Sequence, residues 1–156
     1  TMIACALLGK ALEMPREGLL AFCGAYIHDL ARHTDGAEPE HGPNAAKYFF
    51  GRFQHIWDKY GLTPEERDQV RAAVSQHSTR ELLRPADKGY AVMAILKDAD
   101  ALDRCRLHRG GLNPDWLRFR QSRQLICFME HICVKTRNVN RGLPFKDFVE
   151  ICLSND

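Results

Sequence analysis

Several things are missing from this sequence, and each absence narrows the reading. No apolar run in its 156 residues is long enough to cross a bilayer, and no leader with a small-residue cleavage site is visible. None of the six cysteines (Cys5, Cys23, Cys105, Cys127, Cys133, Cys152) forms a Cys-x-x-Cys pair, which argues against a cysteine-built structural zinc. Most lie in apolar helical surroundings and read as reduced, buried thiols of a cytoplasmic protein. There is little surplus charge: the net value of +2 is too small to point to nucleic acid or a membrane surface. No period-two alternation marks a strand, and no internal repeat is visible. The remaining composition, 45% hydrophobic and 27% charged, places the chain with globular rather than disordered proteins, as a single domain over residues 1–156.

Proline supplies the punctuation. Pro15, Pro43, Pro64, Pro85, Pro114 and Pro144 each stand where a helix can begin, because the N–H that proline lacks has no partner there. Thr63 and Glu66 of "TPEE" match a capping box, and Asn113 of "NPDW" matches its cap alone. Between these marks the apolar spacing is helical. Leu19, Cys23, Tyr26 and Leu30 share a stripe, as do Phe49, Phe53, Ile56, Trp57 and Tyr60. Val70, Ala73, Val74 and His77 form a third, and Val92, Ile95, Ala99 and Leu102 a fourth. The spacing predicts an all-α bundle of about seven helices, near 1–12, 16–32, 43–60, 64–78, 86–106, 114–137 and 144–153.

The stretch "YIHDLARHTDGAEPEHGPNAA" gathers His28, His33 and His41 with Asp29 and Asp35. His28 and Asp29 are neighbours, and consecutive helical residues point about 100° apart. Two readings fit: a metal on the flank between them, or a polar helix tip beside a surface acid. The line Ala21, Gly24, Ala25, His28 is small enough to leave room for an ion or for another helix. In "ILKDADALDR" Asp98 and Asp103 flank the apolar stripe, while Asp100 lies further round and is by angle the most solvated. A carboxylate drawn inward needs a cation or several donors; for Asp103, Arg104 or Arg32 is a candidate partner. His77 lies on an apolar line, where a satisfied core histidine is the plain alternative to a ligand. Arg104, Arg106, Arg109, Arg118, Arg120 and Arg123 either line a pocket mouth or form a solvated surface; Trp116 and Phe119 sit at core spacing.

In order and spacing, "YIHDLAR", "EHGPNAA", "AVSQHS" and "LKDADALDR" resemble the motifs of the HD-domain superfamily of metal-dependent phosphohydrolases. The resemblance covers residues 2–107; the helical extension 114–153 adds no motif. It implies that His28, Asp29 and Asp100 ligate a metal, with Asp29 also catalytic in orienting the attacking water. It further implies that His41 and His77 hold a second metal or the substrate phosphate, and that Arg32 meets phosphate. The family has one more histidine, upstream on the first helix, and no histidine precedes His28 here; the expected position falls just before Thr1.

A mixed histidine and aspartate shell suits Mn, Fe, Co, Ni or Zn, and Mg less well. The expected activity is hydrolysis of a phosphate ester, with a nucleotide or another small phosphorylated metabolite as substrate. Two rivals stand beside it: a regulatory or ligand-binding domain with an incomplete shell, and a helical interaction module whose histidines are incidental.

Overall fold

The computed structural model describes residues 1–34, 36–106, 111–139 and 142–154. Asp35, Leu107, Arg109 and Gly110 therefore lie outside the described residues. The chain is all-α, with no strand among the described residues. Its helices are α1 (Met2–Ala11), α2 (Pro15–Ala25), α3 (His41–Tyr48), α4 (Gln54–Lys59), α5 (Pro64–Gln76), α6 (Tyr90–Asp103), α7 (Arg120–Gln124), α8 (Ile126–Thr136) and α9 (Phe145–Leu153). Short 3-10 turns cover Phe50–Phe53, Arg104–Arg106 and Pro114–Trp116. No described helix is long and apolar enough to cross a membrane.

One core runs through the bundle. α6 is its central rod, with Val92–Leu96, Asp98, Ala99 and Leu102 all buried. α1, α2 and α5 pack around it, α3 lies on α5, and α8 carries α9. Core residues reach from Ala4 to Ile132 and Cys152, so the C-terminal helices share the same apolar cluster. α1 and α2 meet backbone to backbone: a Cβ on Gly9 would lie 2.5 Å from the Gly18 Cα, so glycine is required at this crossing.

Several expected helices are shorter or broken. Residues 43–60 divide into α3, a 3-10 turn and α4. The start near residue 86 moves to Tyr90, because Gly89 takes φ 87° immediately before α6. Residues 114–137 divide as well, and Asp98 is the reason. Its carboxylate accepts the backbone N–H groups of Arg118 and Phe119, holding Leu117 and Phe119 extended (ψ 129° and 142°). Trp116 is consequently 63% exposed rather than in the core. Tyr26 and Leu30 are exposed too, and the buried line of this segment is instead Leu20, Ala21, Gly24, Ile27, His28 and Ala31. Among the cysteines, Cys127 is exposed and Cys105 and Cys133 are half-buried, against the expectation of buried thiols. The Thr63–Glu66 capping box forms as read.

Candidate metal centre

The helix expected to reach residue 32 ends at Ala25 and continues as tight turns, with Ile27 N–H bonded to the Gly24 carbonyl. His28 helps to end it. Its Nδ1 lies 2.8 Å from the Ala25 carbonyl, which a continuing α-helix would have offered to the N–H of Asp29. Released from helical projection, His28 and Asp29 turn to one target: His28 Nε2 lies 3.4 Å from Asp29 Oδ2.

The same device recurs twice. His77 follows the last residue of α5, with Nδ1 2.7 Å from the Val74 carbonyl. His41 opens α3, with Nδ1 2.5 Å from the Glu38 carbonyl. In each case the carbonyl three residues back can only accept, so Nδ1 carries a proton, and in the neutral ring Nε2 presents a lone pair. This is the tautomer that a metal-ligating histidine uses when a backbone carbonyl orients it.

The three Nε2 atoms converge on Asp29. Asp29 Oδ1 is 3.1 Å from His41 Nε2 and 3.5 Å from His77 Nε2. His41 and His77 bring their Nε2 atoms to 2.7 Å from each other. Asp100 joins from α6, its Oδ1 3.5 Å from His28 Nε2. His28, His41 and His77 are all buried, at 6–8% exposure. Yet His28 Nε2 and Asp29 Oδ1 are buried without a hydrogen bond, and buried polar atoms are rarely left so. One ligand atom each from His28, Asp29 and His77 fits within 4.8 Å, a spread that one metal ion spans. The donor set and its two orphaned atoms therefore fit a divalent cation.

The electrostatics agree. Burial disfavours the Asp29 anion, but attraction to His77, His28 and His41 outweighs it and holds the carboxyl well below its ordinary range. Asp100 is likewise lowered: burial opposes ionisation and His28 more than compensates. His28 is raised despite its burial, because Asp100 and Asp29 face it. His41 is lowered, by burial first and further by its closeness to His77.

Asp98 and Asp103 stand apart from the cluster. Asp98 is fully buried and satisfied by Arg118 N–H and Nη1, Phe119 N–H and the Ser122 hydroxyl. It is a structural knot. Asp103 pairs with Arg106 at 3.1 Å, rather than with Arg104 or Arg32. Arg32 reaches Asp29 at 3.8 Å and also donates to the Thr34 and Gly36 carbonyls, bracing the loop. His33 is exposed and outside the cluster. Of the arginine run, Arg118 is half-buried and spans Asp98 and Glu81.

Some supporting residues carried no sequence signal of their own. Ser78 accepts the Gly42 N–H at 3.0 Å and donates to the Pro39 carbonyl at 2.7 Å, tying the start of α3 to the end of α5. Lys97 donates to the Gln76 and Thr79 carbonyls on either side of His77. Beside the cluster lies a cavity of about 810 Å³, bordered by His28, Arg106, Met129, Ile132 and Phe148 among others. No protein-family model, curated protein or solved structure matches the chain.

Proposed function

We propose that this chain is an HD-like, metal-dependent phosphohydrolase acting on a nucleotide or another small phosphorylated metabolite. One observation carries the reading: three buried histidines, each oriented by the carbonyl three residues back, aim Nε2 at two carboxylates. His28, Asp29 and Asp100 would hold a divalent ion, and His41 and His77 a second ion or the substrate phosphate. Mn, Fe, Co, Ni or Zn suits this donor set better than Mg. A bound ion supplies Lewis acidity and makes water a better nucleophile near neutral pH.

The remaining chemistry belongs to the side chains. Asp29 stays ionised, so it accepts a hydrogen bond from water and aims it; its lowered pKa makes it an orienting group more than a strong base. Arg32, His41 and His77 would balance the charge of a phosphoryl group. The cavity beside His28, with Arg106 and apolar walls, accommodates the body of a small metabolite.

A second reading has its own support. The His41–His77 contact closes the space between the two rings that phosphate would need, which favours a catalytically incomplete, ligand-binding regulator. Elemental analysis of the purified chain, with a screen of phosphate esters, separates the readings. The enzyme predicts bound metal and metal-dependent turnover that Asp29→Asn abolishes. Metal without turnover, even in a chain extended upstream by its native residues, selects the regulator. Neither metal nor turnover leaves only the interaction module.

A further inference from the structure

Away from the histidines, Cys105 in the 3-10 turn after α6 sets its Sγ 2.7 Å from the Sγ of Cys133 on α8. Both are free thiols and half-buried. A disulfide holds its sulfurs about 2.05 Å apart, so a closure of about 0.7 Å separates this pair from bonding distance. Cys133 also lines the 810 Å³ cavity, which gives a small oxidant a route to it. By contrast Cys5, Cys23 and Cys152 are buried and Cys127 is exposed.

We propose that Cys105 and Cys133 form a modification site: a thiol pair that hydrogen peroxide converts into an intramolecular disulfide. Burial first, and then the bond shared with Cys133, push the Cys105 thiol up. Of the two, Cys133 is the one that lines the cavity by which a peroxide arrives, so attack begins there. The Cys133 sulfur gives up its proton as it attacks one peroxide oxygen. The O–O bond breaks, and the departing hydroxide takes up the proton that Cys133 released, leaving as water. Cys133 is now a sulfenic acid. The Cys105 sulfur then displaces its hydroxyl, which leaves with the Cys105 proton as a second water. In sum, two thiols are oxidised by two electrons, one peroxide is reduced, and one S–S bond forms. That bond ties the end of α6, five residues beyond Asp100, to a wall of the cavity that His28 borders. The inference does not depend on the metal reading, since it needs only the two thiols and their access.

The test treats the reduced full-length chain with equimolar hydrogen peroxide, then maps its thiols by alkylation and peptide mass spectrometry. Expected are two thiols consumed of six, a Cys105–Cys133 linked peptide within a monomer, and reversal by dithiothreitol. The oxidised chain melts about 5–10 °C higher, because the bridge closes a long loop of the unfolded chain. In Cys105→Ser, Cys133 stops at a sulfenic acid that dimedone traps. Should the serine variant fail to fold, the wild-type peptide map decides alone. Oxidation confined to Cys127, a linkage between chains, or a Cys133 sulfinic acid without any linked peptide would each overturn the proposal.

Discussion

His41 and His77 face each other through Nε2 at 2.7 Å, one from the first turn of α3 and the other from the end of α5. Each has its Nδ1 directed at a backbone carbonyl. With both rings neutral, two lone pairs oppose one another, and Asp29 Oδ1 adds negative charge at 3.1 and 3.5 Å. Such an arrangement is repulsive until a positive charge enters, whether a proton shared by the rings or a cation. The packing that produces it is specific: the Gly42 N–H to Ser78 bond sets the distance between the two helix ends.

His77→Gln removes a lone pair from the centre and leaves the Val74 carbonyl with a weaker partner. Metal affinity should fall by at least 10–100-fold, the range that loss of a supporting group already causes. Titration of the metal-free chain by calorimetry measures it. Unchanged affinity would make His77 a core residue and end the two-metal idea.

The two acids of the Asp-Ala-Asp stretch should separate cleanly. Asp98→Asn removes one of the two carboxylates that Arg118 spans and sets an amide N–H₂ against the buried donors of Arg118, Phe119 and Ser122, and should cost about 3 kcal/mol of stability. Asp100→Asn should cost little stability but lower bound metal, because its carboxylate faces His28. Urea unfolding and elemental analysis of both variants supply the comparison. Metal loss in Asp98→Asn alone, with Asp100→Asn unaffected, would exchange their roles.

These same residues mark how far the sequence could be read. Helical spacing placed the α5 and α6 stripes in the core, and proline and capping chemistry located α2 and α5, since both signals are local. Angle arguments put Asp98 at the flank of the apolar stripe, short of its full burial, and misjudged Asp100, which is no more exposed than Asp103. On a helix wrapped by neighbours nearly all round, a residue off the apolar stripe can still be enclosed. Asp98 is fully buried because Arg118, 20 residues away, folds back upon it; no local pattern encodes that return. The same return broke the helix expected over 114–137 and put Trp116 outside. The grouping of His28, His41 and His77 became legible only through resemblance, since their convergence depends on how the end of α2, the start of α3 and the end of α5 pack together.

Gly42 tests whether the approach of α3 to α5 builds the centre. A Cβ there would lie 2.5 Å from the Ser78 hydroxyl, 2.8 Å from the Val74 carbonyl and 2.9 Å from His77 Nδ1. The Val74 carbonyl is backbone and cannot swing aside. Gly42→Ala should therefore push α3 off α5, costing about 1–3 kcal/mol, and lower metal content with it. Stability and metal content equal to wild type would show that the contact is not needed.

The last prediction concerns a staple on the opposite side of the fold. Arg16 grips Glu66 with Nε and Nη2 at 2.6 and 2.7 Å and also donates to the Gly61 carbonyl, joining the start of α2 to the start of α5. Glu66 meanwhile accepts the Thr63 N–H at 2.8 Å in the capping box. Arg16 first, and then the Thr63 N–H, lower the Glu66 carboxyl from 4.5 to about 2. A carboxyl lowered on folding favours the native state fully above its unfolded pKa and loses that contribution as pH falls toward the folded value. The window is therefore between about pH 4.5 and pH 2. The pair lies at the surface and is screened, so the contribution is small, about 1 kcal/mol. Comparing Glu66→Gln with wild type by urea unfolding isolates it from the other carboxylates. The difference in stability should be present near neutral pH and shrink through that acid window. A difference that stays constant down to about pH 2.5 would mean that the Glu66 charge does not stabilise the fold.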